Sequence, residues 1–300
     1  MNVFILDCNR TEIVQSLKRL ILSCYLGRLM TATEIIDIIC DFGRKYVKEY
    51  LNATFLKETH KIDIERVEID WWEALKFFFS KVLFQGRRDE ISMRVYNKVI
   101  ELLGKWFDKP DKDKEFDKLA SKGWREIEHE LSKYISPQAR QFGNRPIGKR
   151  GDIRLVKDTL KFISRIGDKN VVMYAIRRIK EGKLRELFTE LIHISFVGQK
   201  TASLFLRDLV FLFELEKYIN EKDIMFLQPI DTWVRKVAAD ILKLTGIRDN
   251  ELKREIVKRL GRKSIWFNAG AWYIGSNSYR VVIALLQGPE KDALESLAKR

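Results

Sequence analysis

The feature that most constrains this chain is the spacing of its apolar residues. Ile13, Leu17, Leu20, Ile21 and Cys24 recur every three or four positions, and Ile35, Ile36, Ile39 and Phe42 resume the pattern. The same period returns over Trp72 to Leu83, Ile91 to Trp106, Leu119 to Leu131, Ile153 to Ile163, Val171 to Ile179 and Leu184 to Ile192. It continues in Ala202 to Phe213, Val234 to Leu244, Leu252 to Leu260, Ile265 to Ile274 and Val281 to Leu286. Apolar stripes at this period are the core faces of helices, so the sequence predicts an all-α protein of about a dozen helices. One segment departs from the period. Over Lys61 to Asp70, Ile62, Ile64, Val67 and Ile69 nearly alternate with charges, which predicts a small β-hairpin there.

Two stretches interrupt the pattern. Lys109 to Lys114 is charged with no apolar face and reads as a solvated connection. Ser136 to Asp152 holds Pro137, Gly143, Pro146, Gly148 and Gly151 with Arg140, Arg145, Lys149 and Arg150, so it reads either as a mobile connection or as a basic phosphate-contacting loop. No internal repeat is visible, which argues against a solenoid.

Charge then narrows the partners. Among 300 residues, 56 Lys and Arg face 42 Asp and Glu, a net charge of +14 that favours polyanions, nucleic acid first. An anionic membrane is the weaker alternative, because no apolar stretch approaches the ~20 residues of a spanning helix. The start of the chain, Met1-Asn2-Val3 with Asp7 close behind, also lacks a basic-then-apolar signal. Cys8, Cys24 and Cys40 have no Cys-x-x-Cys partner, and His60, His129 and His193 are scattered. The expectation is reduced, buried thiols in an intracellular protein, located in the cytoplasm or nucleoid if prokaryotic, with no metal site.

The segment that carries chemistry is Ile192 to Arg235. A helix ending near His193 meets the turn Ile194-Ser195-Phe196-Val197-Gly198-Gln199, and a second helix starts at Lys200-Thr201-Ala202. Such a turn aims unpaired N–H groups and the positive dipole end of the second helix outward, a site for phosphate. Asp231 follows 31 residues after Lys200, after Pro229-Ile230 and before another helical stretch. Taken singly, Asp231 is an N-cap and Lys200 a surface lysine. At a helix start, however, the dipole disfavours the ammonium form, and a nucleophilic amine needs that bias.

Val197-Gly198-Gln199-Lys200-Thr201-Ala202 followed by Pro229-Ile230-Asp231-Thr232-Trp233-Val234-Arg235 resembles the helix-hairpin-helix, Gly/Pro-rich loop and Asp signature of the DNA glycosylases related to endonuclease III. The run from Lys200 to Arg207 is similar to the archaeal 8-oxoguanine DNA glycosylase/lyases. Leu83 to Ser92, with Gln85, Arg87 and Arg88, resembles the family's early helix-loop-helix, whose Gln enters the duplex at the lesion. The likeness runs from about Trp71 to Leu286. Three departures stand out. Phe196 replaces the first hairpin glycine, the gap from Lys200 to Asp231 is longer than usual, and no four-cysteine cluster follows the Asp.

The resemblance implies two helical lobes with a DNA cleft between them. It implies an N-terminal segment 1–72, a central lobe 73–213 with the helix-hairpin-helix at about 184–213, and a C-terminal lobe 214–300 carrying the Asp. It further implies a bifunctional DNA glycosylase/AP lyase of base excision repair that acts as a monomer on duplex DNA and needs no cofactor. The expected lesion is an oxidised purine, 8-oxoguanine first. Lys200 is the implied nucleophile and Asp231 its carboxylate. Val197, Gly198, Gln199, Gln85, Arg87, Arg88 and Arg235 are the implied DNA contacts, and Phe267 and Trp272 candidates for the base pocket. Two alternatives stay open: a monofunctional glycosylase for alkylated or deaminated bases, and a helix-hairpin-helix binding module without chemistry.

Overall fold

A computed structural model describes residues 31–84, 89–107, 124–125, 127–131 and 149–287. Among these residues all regular structure is helical and there is no strand. The helices are α1 (Ala32–Tyr50), α2 (Ala53–His60), α3 (Trp71–Val82), α4 (Asp89–Phe107), α5 (Lys149–Ser164), α6 (Val171–Lys180), α7 (Leu184–Ile192), α8 (Gln199–Leu212), α9 (Thr232–Leu242), α10 (Asp249–Leu260) and α11 (Lys263–Gln287). No helix among the described residues is long and apolar enough to cross a membrane. The chain divides into two compact units, Asn52–Pro229 and a second formed by Met1–Leu51 with Ile230–Arg300.

The unit Asn52–Pro229 is built around α3. Asp70 caps this helix, its Oδ1 accepting from the Trp72 N–H at 2.9 Å. Every residue from Glu73 to Val82 is buried, as expected of a helix enclosed on all sides. Phe78 meets the Phe205 ring of α8 edge-on at 4.9 Å, and Asn170, the cap of α6, donates to the Val67 carbonyl at 2.9 Å.

Enclosing α3 also buries its charges, which must then be paired. Lys81 Nζ lies 2.8 Å from Oδ2 of Asp208 on α8, and Arg207 NH2 donates to Oδ1 of the same carboxylate at 3.0 Å. All three are buried, Asp208 completely. Nearer the start of α3, Glu73 holds Lys76 at 2.7 Å with one oxygen and accepts from the Asp63 N–H at 2.7 Å with the other.

The hairpin expected over Lys61 to Asp70 is absent. Ile64–Arg66 is a turn of 3₁₀ helix, with the Arg66 N–H donating to the Asp63 carbonyl at 3.1 Å. The near-alternation misled because only Ile62 and Val67, five apart, are buried, while Ile69 is 83% exposed. The Asp63 N–H is taken by the Glu73 side chain, not by a partner strand.

The other unit is dominated by α1 against α11. A capping box at Thr31 and Glu34 starts α1. The helices then approach so closely that a Cβ at Gly270 would stand 1.8 Å from the Ile39 carbonyl oxygen, and one at Gly43 would stand 2.2 Å from that of Trp266. Glycine is required at both by space, not by backbone angle. Phe42, Tyr46, Tyr50, Trp272 and Tyr273 stack beside this seam. Cys40 is buried and unpaired here, and burial pushes its thiol up to about 11, so it stays protonated. Cys8 and Cys24 lie outside the described residues.

Candidate functional site

Helices α7 and α8 form an αα-hairpin inside the unit Asn52–Pro229. In α7 the buried residues Leu184, Leu187, Phe188 and Leu191 make one stripe, which fixes the helix against the core. Past His193, a four-residue turn is closed by the Val197 N–H donating to the Ile194 carbonyl at 3.0 Å. Ile194 and Val197 are buried and anchor the turn's two ends. Phe196, its third residue, has φ +66°, the left-handed region that favours glycine. An L side chain there costs about 1–2 kcal/mol, and the ring is nevertheless 53% exposed.

Gly198 is the N-cap of α8, with φ −83° and no side-chain cap. Nothing lies within 4 Å of where its Cβ would be. Neither conformation nor space therefore demands a glycine. Its physical consequence is that the first-turn N–H groups, which have no intrahelical acceptor before Ala202 donates to the Gly198 carbonyl at 3.0 Å, are left unscreened. Gly198, Gln199 and Lys200 are all exposed. From Thr201 onward the same run turns inward, with Thr201, Ala202, Ser203, Phe205, Leu206, Arg207 and Asp208 buried. Most of the motif is thus core, and it presents Gln199 and Lys200 at the helix's open end.

Asp231 is the N-cap of α9, its Oδ1 accepting from the Val234 N–H at 2.8 Å, and it is half-buried in the unit that contains Ile230–Arg300. One carboxylate oxygen is occupied as a cap. Arg235 is committed internally: NH1 donates to the Ile247 carbonyl at 2.8 Å and NH2 contacts Asp249. Its expected role as a phosphate contact is therefore shared with a structural one, a tie to a residue in another helix that helical spacing does not reveal. Lys236 remains exposed, its ammonium 4.7 Å over the Trp233 ring.

The two base-pocket candidates fare differently. Phe267 is 0% exposed and belongs to the core of its unit, so its ring has no open face for a base. Its position in a run of aromatics at helical spacing could not decide which one faces outward. Trp272 is half-buried, with edge-on contacts at 5.4 Å to both Tyr46 and Tyr50. Gln85, Arg87 and Arg88 lie outside the described residues.

One charged neighbour of Lys200 was not singled out from sequence. Asp89, exposed in the first turn of α4, has its carboxyl raised above the usual range, because partial desolvation outweighs the attraction of the Lys200 ammonium. The signal was available in Arg87-Arg88-Asp89-Glu90, an acidic pair that starts a helix. The basic residues before it drew attention instead.

An uncharacterized protein of Methanocaldococcus jannaschii is similar to this chain, with 34% identity over 74 residues, 25% of this chain. The match spans 17% of that protein's own length. No family model matches the chain, and no solved structure matches it.

Proposed function

We propose that the chain is a DNA glycosylase/AP lyase in which α7, the Ile194 to Gly198 turn and α8 act as a helix-hairpin-helix and Lys200 is the nucleophile. The observation that carries the reading is an exposed lysine in the first turn of α8, beside N–H groups that an uncapped Gly198 leaves open. Those donors suit a phosphate of the DNA backbone, and a lysine beside a bound phosphate is within reach of the neighbouring sugar. The surplus of +14 supports duplex DNA as the partner.

The chemistry follows from an amine at that place. A damaged base leaves the stack, since C1′ is shielded inside the duplex. The Lys200 Nζ lone pair forms a bond to C1′ as the glycosidic bond breaks, its electron pair leaving with the base, which takes up a proton. Ring opening gives a C1′ iminium linked to Nζ. The iminium acidifies the C2′ proton, whose loss expels the 3′ phosphate oxygen and cuts the strand. Water then releases the lysine. The initial attack requires an unprotonated amine and a carboxylate to take its proton. The family resemblance assigns that carboxylate to Asp231. Asp89 is a second candidate, because it belongs to the same unit as Lys200 and interacts with its charge. An oxidised purine, 8-oxoguanine first, is the proposed lesion.

Borohydride reduction of mixtures with duplexes carrying 8-oxoguanine or an abasic site tests the reading. A covalent protein–DNA adduct is expected with both. Base release without an adduct would favour the monofunctional alternative, and binding with neither product the non-catalytic one. Asp231→Asn and Asp89→Asn in the same assay identify the proton acceptor, since only its loss should slow base release about 10²-fold or more.

A further inference from the structure

We infer that Phe196 is itself a DNA contact, its ring packing on the apolar face of a deoxyribose next to the phosphate taken by the first turn of α8. The inference rests on the reading of this hairpin as a DNA-binding element and adds to it a non-ionic contact. Three observations converge on the residue. Phe196 occupies a left-handed backbone position that glycine would adopt without strain. Its ring is 53% exposed, so the strain is not offset by burying the side chain. The ring is also held in place, because a Cβ at Gly151 would stand 3.1 to 3.5 Å from three of its atoms, and that glycine leaves the ring its seat on α5.

The other residues with left-handed backbone outside glycine are Lys61, Lys169, Glu214 and Lys243, all polar. Phe196 alone in that set of described residues shows water an apolar surface under strain. Strained positions that persist are commonly functional, and a ring already fixed by its seat loses little conformational freedom on binding. The turn places it two residues before Gly198, whose neighbouring N–H groups suit a phosphate. What lies beside a backbone phosphate in duplex DNA is a deoxyribose, whose C2′ methylene offers the matching apolar surface.

The test compares wild type, Phe196→Gly and Phe196→Leu for binding to a short undamaged DNA duplex over a salt series, with melting temperatures measured in parallel. Phe196→Gly is expected to melt no lower than wild type, because the turn is relieved. It is expected to bind about tenfold more weakly, with an unchanged dependence of log K on log salt, since no ion contact is lost. Phe196→Leu, which keeps an apolar side chain, should retain most of the affinity. Phe196→Gly binding as tightly as wild type, or a reduced salt slope in either variant, overturns the inference while leaving the hairpin reading in place. A wild type that does not bind the duplex and forms no borohydride adduct overturns the hairpin reading, and this contact with it.

Discussion

The two units solve helix packing in opposite ways. In the unit containing α1 and α11, backbones touch through Gly43 and Gly270 and aromatic rings line the seam. In the unit containing α3 and α8, side chains keep the helices apart and bring charges inside, with Lys81, Asp208 and Arg207 sharing one buried carboxylate. A glycine seam tolerates no added volume, whereas a buried ionic cluster tolerates no missing charge. The ionic unit is also the one that presents the strained turn and Lys200, so its rigid interior supports the element proposed to meet DNA.

The largest effect should come from the ionic side. Asp208→Asn leaves Lys81 and Arg207 buried without their counter-charge and should cost about 3–5 kcal/mol, read by denaturant unfolding. Replacing Lys81, Arg207 and Asp208 together by apolar residues of similar volume should recover most of that loss. Failure of the triple replacement to recover stability would show that the cluster fixes the α3–α8 arrangement as well as neutralising itself. On the glycine side, Gly270→Ala must push α11 away from the Ile39 carbonyl and should cost about 3 kcal/mol. A well-folded Gly270→Ala protein of undiminished stability would break the contrast between the units.

A smaller effect is pH-dependent. His60 is buried with its Nδ1 unpartnered, and desolvation first, then the Lys81 charge, lowers its pKa from 6.5 to about 3. Between those values the unfolded state binds the extra proton, so stability is complete above pH 6.5 and declines as pH falls toward 3. His60→Gln should flatten that acid limb in a pH series of urea midpoints. An unchanged slope would mean that carboxylates elsewhere dominate acid unfolding.

The all-α class was legible because the 3.6-residue period depends on local spacing alone. The same reasoning failed over Lys61 to Asp70, where four apolar residues were counted without knowing that Ile69 faces water. Buried charges were not legible at all, since Lys81 and Asp208 meet only through tertiary packing and each looks like a surface residue in its own helix. At the candidate site, the turn, the exposed start of α8 and the capping position of Asp231 could be read from Gly198, Lys200 and the helix that follows Asp231. The internal tie of Arg235 to Asp249 and the burial of Phe267 could not, because each depends on which face of a helix meets its neighbours.

The central claim is that Lys200 forms the bond to DNA, and peptide mapping of the borohydride-reduced adduct tests it most directly. After nuclease and protease digestion, mass spectrometry should find the remnant of the opened sugar on Lys200, and Lys200→Gln, which should fold as wild type because the side chain is exposed, should give no adduct. A modified residue elsewhere, or an adduct that persists undiminished in Lys200→Gln, would contradict the account.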